Sequence, residues 1–111
     1  MNLDATKIGA IIEKAKLKSP VYYELDINMK CEFNFKEKEL RFIVCYFRAG
    51  HKHNQLASIV RKRHIMPDQF ADIKIGTDKE MNLYAGKSIT FTSARHVQNE
   101  LENICDFLVG Q

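Results

Sequence analysis

Residues 21–35 read VYYELDINMKCEFNF, and every odd-numbered position among them is apolar, whereas the even-numbered positions apart from Tyr22 are polar. A period of two is typical of an extended strand that buries one face. After the charged run at 36–39, residues 40–48 read LRFIVCYFR, which is apolar on both sides, as in a strand covered twice. Neither stretch contains glycine or proline, so we expect the chain to reverse only at 36–39.

The sequence therefore predicts a long hairpin of strands at about 21–35 and 40–48. Strands usually have about 3–10 residues, so we also expect a bulge, a bend or an overhanging end within 26–31.

Helical spacing and capping residues predict three helices, at about 4–17, 54–64 and 93–109. Asp4 and Asn54 are the expected caps of the first two helices, and a Thr-Ser pair precedes the third. The residues expected to face inward are Ile8, Ile11, Ile12 and Ala15, then Leu56, Ile59 and Val60, then Val97, Leu101, Ile104 and Leu108.

Residues 66–87 mix helical and alternating spacing. We interpret them as a strand near 73–75, a turn at 76–78 and the beginning of two further strands, 81–85 and 88–92, joined around Gly86. The strands fall in two groups rather than alternating with helices. This order indicates an α+β fold, with an antiparallel or mixed sheet of four to five strands and helices packed on one face.

Composition predicts one soluble domain spanning 1–111, since 45% of the 111 residues are hydrophobic and 28% are charged. The three cysteines form no Cys-x-x-Cys pair and fall in apolar patterns, which indicates a reducing compartment and a cytoplasmic protein. We expect neither a signal peptide nor a membrane span, because no basic start precedes an apolar stretch and no run approaches about 18 apolar residues.

Charge is concentrated in the middle of the chain. Residues 49–65 hold four lysines and arginines and no acidic residue, so this segment has a charge of +4. The rest of the chain sums to −1, which gives the formal net charge of +3. This segment is the candidate site for an anion or an acidic partner, through Lys52, Arg61, Lys62, Arg63 and His64. Cations in a last helical turn also offset the helix dipole, each by about 0.3–1 kcal/mol, so helix termination is the alternative interpretation.

No reaction motif stands out. Neither His-Glu-x-x-His, nor a cysteine pair, nor Gly-x-Ser-x-Gly is present. A metal site would need His51 and His53 with His64 or His96. A small ribonuclease would use His51, His53 or His64 as its general acid and base. Nothing in the spacing requires either site, so we expect no catalytic residue, no metal and no cofactor.

Apolar strand surface appears in excess for so small a sheet, and Tyr22, Tyr46 and Tyr84 are amphipathic aromatics of the kind enriched at interfaces. Cover by the helices is one explanation, and cover by a partner is the other. We therefore predict a non-enzymatic module that masks another protein or a second copy of itself, as an inhibitor, an immunity-type protein, a chaperone or an adaptor. Nucleic-acid binding through 51–64 and ribonuclease activity are the alternatives.

Overall fold

The computed structural model of the protein describes residues 4–47, 61, 72–80 and 82–109. These residues form two helices and a five-stranded antiparallel sheet with the strand order β1-β2-β3-β5-β4. The elements are α1 (Ala5–Leu17), β1 (Val21–Asp26), β2 (Met29–Lys36), β3 (Glu39–Tyr46), β4 (Lys74–Thr77), β5 (Leu83–Thr90) and α2 (Ala94–Val109). The α+β class is confirmed, and the sheet is antiparallel in every pairing.

Both described helices start at side-chain caps. The carboxylate of Asp4 accepts a hydrogen bond from the backbone N–H of Lys7 at 2.8 Å, and the hydroxyl of Ser93 accepts one from the N–H of His96 at 3.1 Å. Their predicted inward faces are confirmed, because every residue expected to face inward from α1 and α2 is buried. Neither described helix is long and apolar enough to cross a membrane.

The prediction of one strand over 21–35 is wrong. The chain reverses at 27–28, so 21–36 forms two strands, and Asp26 pairs with Met29 across this turn. Between Glu24 and Asp26 the register shifts by one residue, which places Leu25 in a bulge.

A two-residue turn alone would put odd positions of one strand opposite even positions of the next. The extra residue restores parity, so odd-numbered residues of β1 and β2 share the buried face and the alternation runs unbroken through a turn.

The predicted reversal at 36–39 is confirmed. Lys36 pairs with Glu39 around a two-residue turn in which Glu37 has a φ of 60°. The result is a three-stranded meander in place of the single long hairpin.

The two strands predicted around Gly86 are in fact one strand, β5, and the predicted turn at 76–78 is displaced. Gly86 lies opposite Ile43 of β3, where a Cβ would come within 2.9 Å of the Phe42 carbonyl oxygen. This glycine therefore serves a close approach between strands and not a reversal. Gly76 and Thr77 belong to β4, and the chain turns only from Asp78 onward.

The core lies between the sheet and the two helices. Its largest fully buried side chains include Phe33, Phe42 and Phe107, which come from β2, β3 and α2. The predicted helix at 54–64 lies outside the described residues except for Arg61, whose backbone is helical and which is exposed. The described part of the chain thus holds two of the three helices expected from the sequence.

Candidate interaction surface

The side of the sheet that neither α1 nor α2 covers is called here the open face. It is formed by the even-numbered residues of β1, β2, β4 and β5 and the odd-numbered residues of β3. Strand register arranges these side chains in rows across the sheet. One row consists of Tyr22, Glu32, Ile43, Gly86 and Lys74, and the next consists of Glu24, Lys30, Cys45, Tyr84 and Gly76.

A depression of about 710 Å³ lies on the open face where β3, β5 and β4 run side by side. Its size falls in the range of about 300–1,000 Å³ that is typical of ligand sites. Two half-buried apolar side chains, Ile43 and Tyr84, line it, and the exposed cations Arg41 and Lys74 stand at its margins. The other described residues that line it are Asp72, Ile75, Gly76, Gly86, Lys87 and Ser88.

Two glycines make the floor of this depression low. Gly86 has no room for a side chain, because a Cβ would lie 3.0 Å from Cγ1 of Ile43 and 2.9 Å from the Phe42 carbonyl oxygen. Gly76 differs, since no atom of the described residues lies within 4 Å of the position a Cβ would take. The sheet is therefore bare at two nearby positions on adjacent strands, where a ligand can approach the backbone closely.

A hydrogen-bond network centred on Asp78 holds the end of this surface at the turn between β4 and β5. One carboxylate oxygen of Asp78 accepts from the backbone N–H groups of Glu80 and Asn82, each at 2.9 Å. The other oxygen accepts from the Asn82 side chain at 3.0 Å and from the Tyr84 hydroxyl at 2.9 Å. These hydrogen bonds lower the pKa of Asp78 because they stabilise its carboxylate form. The backbone N–H of Asn82 has the largest effect, followed by the Asn82 side chain and the Tyr84 hydroxyl. The carboxylate is thereby committed to holding the turn between β4 and β5.

The same network immobilises Tyr84. Its hydroxyl bonds to Asp78 and also to the Cys45 thiol, and these two hydrogen bonds raise the pKa of Tyr84. Both carboxylate oxygens of Asp78 accept hydrogen bonds from the protein itself. Asp78 and Tyr84 therefore form a rigid wall of the depression.

Comparison with known structures supports this fold at low sequence identity. The chain is similar to a chain in the crystal structure of the ExsC-ExsE complex, with a TM-score of 0.58 and 16% identical residues. The similarity covers 97% of this chain and 92% of that one. No protein-family model matches the sequence, and no curated protein is significantly similar to it. At this identity the likeness establishes a shared fold.

The structure does not bring the three predicted interface tyrosines together. Tyr22 lies on the open face at the edge strand β1, 60% exposed, and its hydrogen bond with Glu32 raises its pKa. Tyr84 lies on the same face three strands away. Tyr46 lies on the opposite face, partly buried against the core. Tyr22 and Tyr84 thus belong to one surface, and Tyr46 contributes to packing.

Most of the predicted basic site lies outside the described residues. This applies to Lys52, Lys62, Arg63 and His64, and only Arg61 of that set is described. The anion site predicted for this segment stays a prediction.

His51 and His53, proposed for metal binding or catalysis, also lie outside the described residues, whereas His96 is on α2. Its ring nitrogens lie 3.1 Å from the Thr92 hydroxyl and 3.5 Å from Glu100. Within the described ranges, no three His, Cys, Asp or Glu side chains are placed to hold a metal ion.

The three cysteines are free and buried. Burial raises the pKa of Cys31 and Cys45, and it raises the pKa of Cys105 to about 12. All three thiols therefore stay protonated at neutral pH, because apolar surroundings disfavour the thiolate.

Sequence reasoning missed Arg41, Lys74 and the two glycines of the depression. Arg41 follows the charged turn at 36–39, and Lys74 lies in the ambiguous region, so neither belongs to a recognisable motif. Gly86 is a sequence signal with two interpretations, because a glycine inside a strand pattern marks either a turn or a close approach between strands. Only the pairing of β5 between β3 and β4 places these residues around one depression.

Proposed function

We propose that this protein is a binding module that recognises another protein and masks part of its surface without chemistry. The observation that carries the proposal is the open face, which combines a glycine-floored depression with apolar and charged side chains on a rigid sheet. Binding sites commonly place a few polar groups around an apolar centre on such a scaffold.

Two further observations support a role in binding rather than catalysis. Cys45, Tyr84 and Asp78 are three groups near the open face that could serve as nucleophiles or bases. The first two have raised pKa values and the third is fully hydrogen-bonded. In addition, the similar fold described above occurs in a complex of two proteins, ExsC and ExsE. An inhibitor, an immunity-type protein, a chaperone and an adaptor all work by such masking.

Affinity capture from the native cell, followed by mass spectrometry, tests this function. The wild-type chain is used as bait with and without nuclease treatment. We expect one protein to be enriched after nuclease treatment at physiological salt. Recovery that disappears with nuclease would favour nucleic-acid binding through 51–64, and recovery of nothing would contradict the proposal.

A pair of isoleucine variants shows whether the open face is the binding surface. Ile43→Lys places a charge at the centre of that face, and Ile27→Lys makes the same chemical change at the turn between β1 and β2, where Ile27 is 90% exposed. We expect Ile43→Lys to lose the partner and Ile27→Lys to keep it. Sedimentation equilibrium of the purified chain identifies the partner as a second copy if dimers form.

A further inference from the structure

The depression on the open face carries two cations that have no acidic partner in the described part of the chain. Arg41 and Lys74 are both exposed, and neither forms an ion pair with another described residue. Lys87, by contrast, is held by Glu100, whose carboxylate lies 2.6 Å from its ammonium. Among the described residues, no carboxylate therefore competes with a ligand for Arg41 or Lys74 by forming an ion pair.

Strand register sets these cations on either side of β5, which has no side chain at Gly86. Lys74 lies directly opposite Gly86, and Arg41 lies opposite Ser88, two residues further along β5. Since neighbouring strands are about 4.8 Å apart, β3 and β4 are separated by about 10 Å across β5. Two long side chains can converge on one anion over that width, because no side chain at Gly86 stands between them.

The surrounding charges favour a single carboxylate over a polyanion. Glu24, Glu32 and Glu39 all lie on the same open face, and Asp72 lies at the margin of the depression. A nucleic acid crossing this face would place successive phosphates against these carboxylates, and affinity for nucleic acid depends on many phosphate contacts. A peptide that brings one carboxylate between the two cations avoids that repulsion.

The walls of the depression fit the rest of such a peptide. Ile43 and Tyr84 offer apolar contact on either side of Gly86, and the hydrogen bonds of Tyr84 hold its ring in place. A guanidinium group binds a carboxylate through two parallel hydrogen bonds, which is the geometry Arg41 can supply.

We propose that this depression binds the carboxylate of an acidic side chain in an extended segment of the partner protein, between Arg41 and Lys74. The inference rests on the proposed function, since it specifies the chemistry by which the partner is recognised. It makes the open face selective for an acidic residue with apolar neighbours.

An NMR titration of the wild-type chain tests the inference directly. The probe is a short extended peptide with one glutamate between valines, and the matched control peptide has glutamine in its place. We expect the amide signals of Gly76, Gly86 and Ser88 to shift with the glutamate peptide and to stay unchanged with the glutamine peptide. Equal shifts with both peptides, or none with either, would overturn the inference, as would shifts at these amides with oligothymidylate alone.

Charge variants provide the second measurement. The double variant Arg41→Gln, Lys74→Gln should weaken binding of the glutamate peptide at least about tenfold, since hydrogen bonds to charged groups are lost. The double variant Lys14→Gln, Lys18→Gln removes the same charge from exposed positions on α1 and its cap, so it should bind like the wild type. Equal affinity of the two double variants would refute the role of Arg41 and Lys74.

Gly76→Val fills the depression without touching either cation. In the described part of the chain no atom lies within 4 Å of a Cβ at this position, so we expect this variant to fold normally and to lose the peptide. Retention of full affinity would place the ligand elsewhere. If the wild type captures a partner that Arg41→Gln, Lys74→Gln captures equally well, the proposed function stands and this inference fails. If the wild type captures nothing, the proposed function itself fails.

Discussion

Alanine at the two glycines of the depression should have opposite effects on stability. At Gly86 the new Cβ would lie 2.9 Å from the Phe42 carbonyl oxygen and 3.0 Å from Cγ1 of Ile43. Ordinary contacts are about 3.3 Å for carbon to oxygen and about 3.5–4.0 Å for carbon to carbon. The carbonyl belongs to β3 in the middle of the sheet, so relief requires the backbone of a paired strand to move.

The magnitude follows from two competing terms. Overpacking of a tight site costs about 1–3 kcal/mol, whereas replacing glycine by alanine stabilises by about 0.4–1 kcal/mol through the unfolded state. We therefore expect Gly86→Ala to lower the free energy of unfolding by about 1–2 kcal/mol. The Cβ of Gly76→Ala meets no described atom within 4 Å, so only the second term applies and stability should rise by about 0.4–1 kcal/mol.

Urea denaturation followed by circular dichroism measures this difference. The two variants should differ by about 2 kcal/mol, which separates their midpoints by roughly 1 M urea for a protein of this size. Equal midpoints, or a higher midpoint for Gly86→Ala, would refute the close approach of β5 to β3 at this position. The comparison is internally controlled because both variants make the same chemical change on adjacent strands.

Three further predictions concern polar contacts. Ser19→Ala should lower the free energy of unfolding by about 1 kcal/mol, because the hydroxyl accepts from the N–H of Phe35 at 2.9 Å and joins α1 to β2. Glu100→Gln should cost about 1–2 kcal/mol, since it leaves the Lys87 ammonium, only 14% exposed, without its carboxylate. Asp78→Asn should make stability fall less steeply as the pH is lowered. The lowered pKa of Asp78 stabilises the fold above about pH 4, and this contribution disappears as pH falls through the folded-state pKa.

The measurements for these three variants are simple. Denaturation midpoints of Ser19→Ala are compared with those of Ser88→Ala, an exposed serine, and equal midpoints would contradict the role of Ser19. Unchanged stability of Glu100→Gln would show that water replaces the ion pair. For Asp78→Asn, thermal unfolding is followed from neutral pH to about pH 2, and an acid limb as steep as that of the wild type would contradict the prediction.

The two described helices were predictable because their determinants are local. Caps at Asp4 and Ser93 and apolar residues at helical spacing lie within one stretch of chain, and the structure buries the predicted faces. The turn at 27–28 was not predictable by the same means. It contains neither glycine nor proline, and the bulge at Leu25 keeps the alternation in phase on both sides of it.

The candidate surface depended on information that no local pattern contains. Arg41 and Lys74 are distant in sequence and belong to strands that are not paired with each other. Gly86 has the same local appearance in a turn as in a strand, and only the neighbouring β3 shows that a side chain is forbidden there.

The sequence by itself determined the α+β class, the position of both described helices and the buried face of β1 and β2, because hydrophobic periodicity records which side of an element avoids water. The tertiary structure decided where the first strand reverses, which strand lies between β3 and β4, and which charged side chains meet on the open face. These three features depend on which strands pair and in which register. The pattern of buried residues within one strand does not encode that pairing.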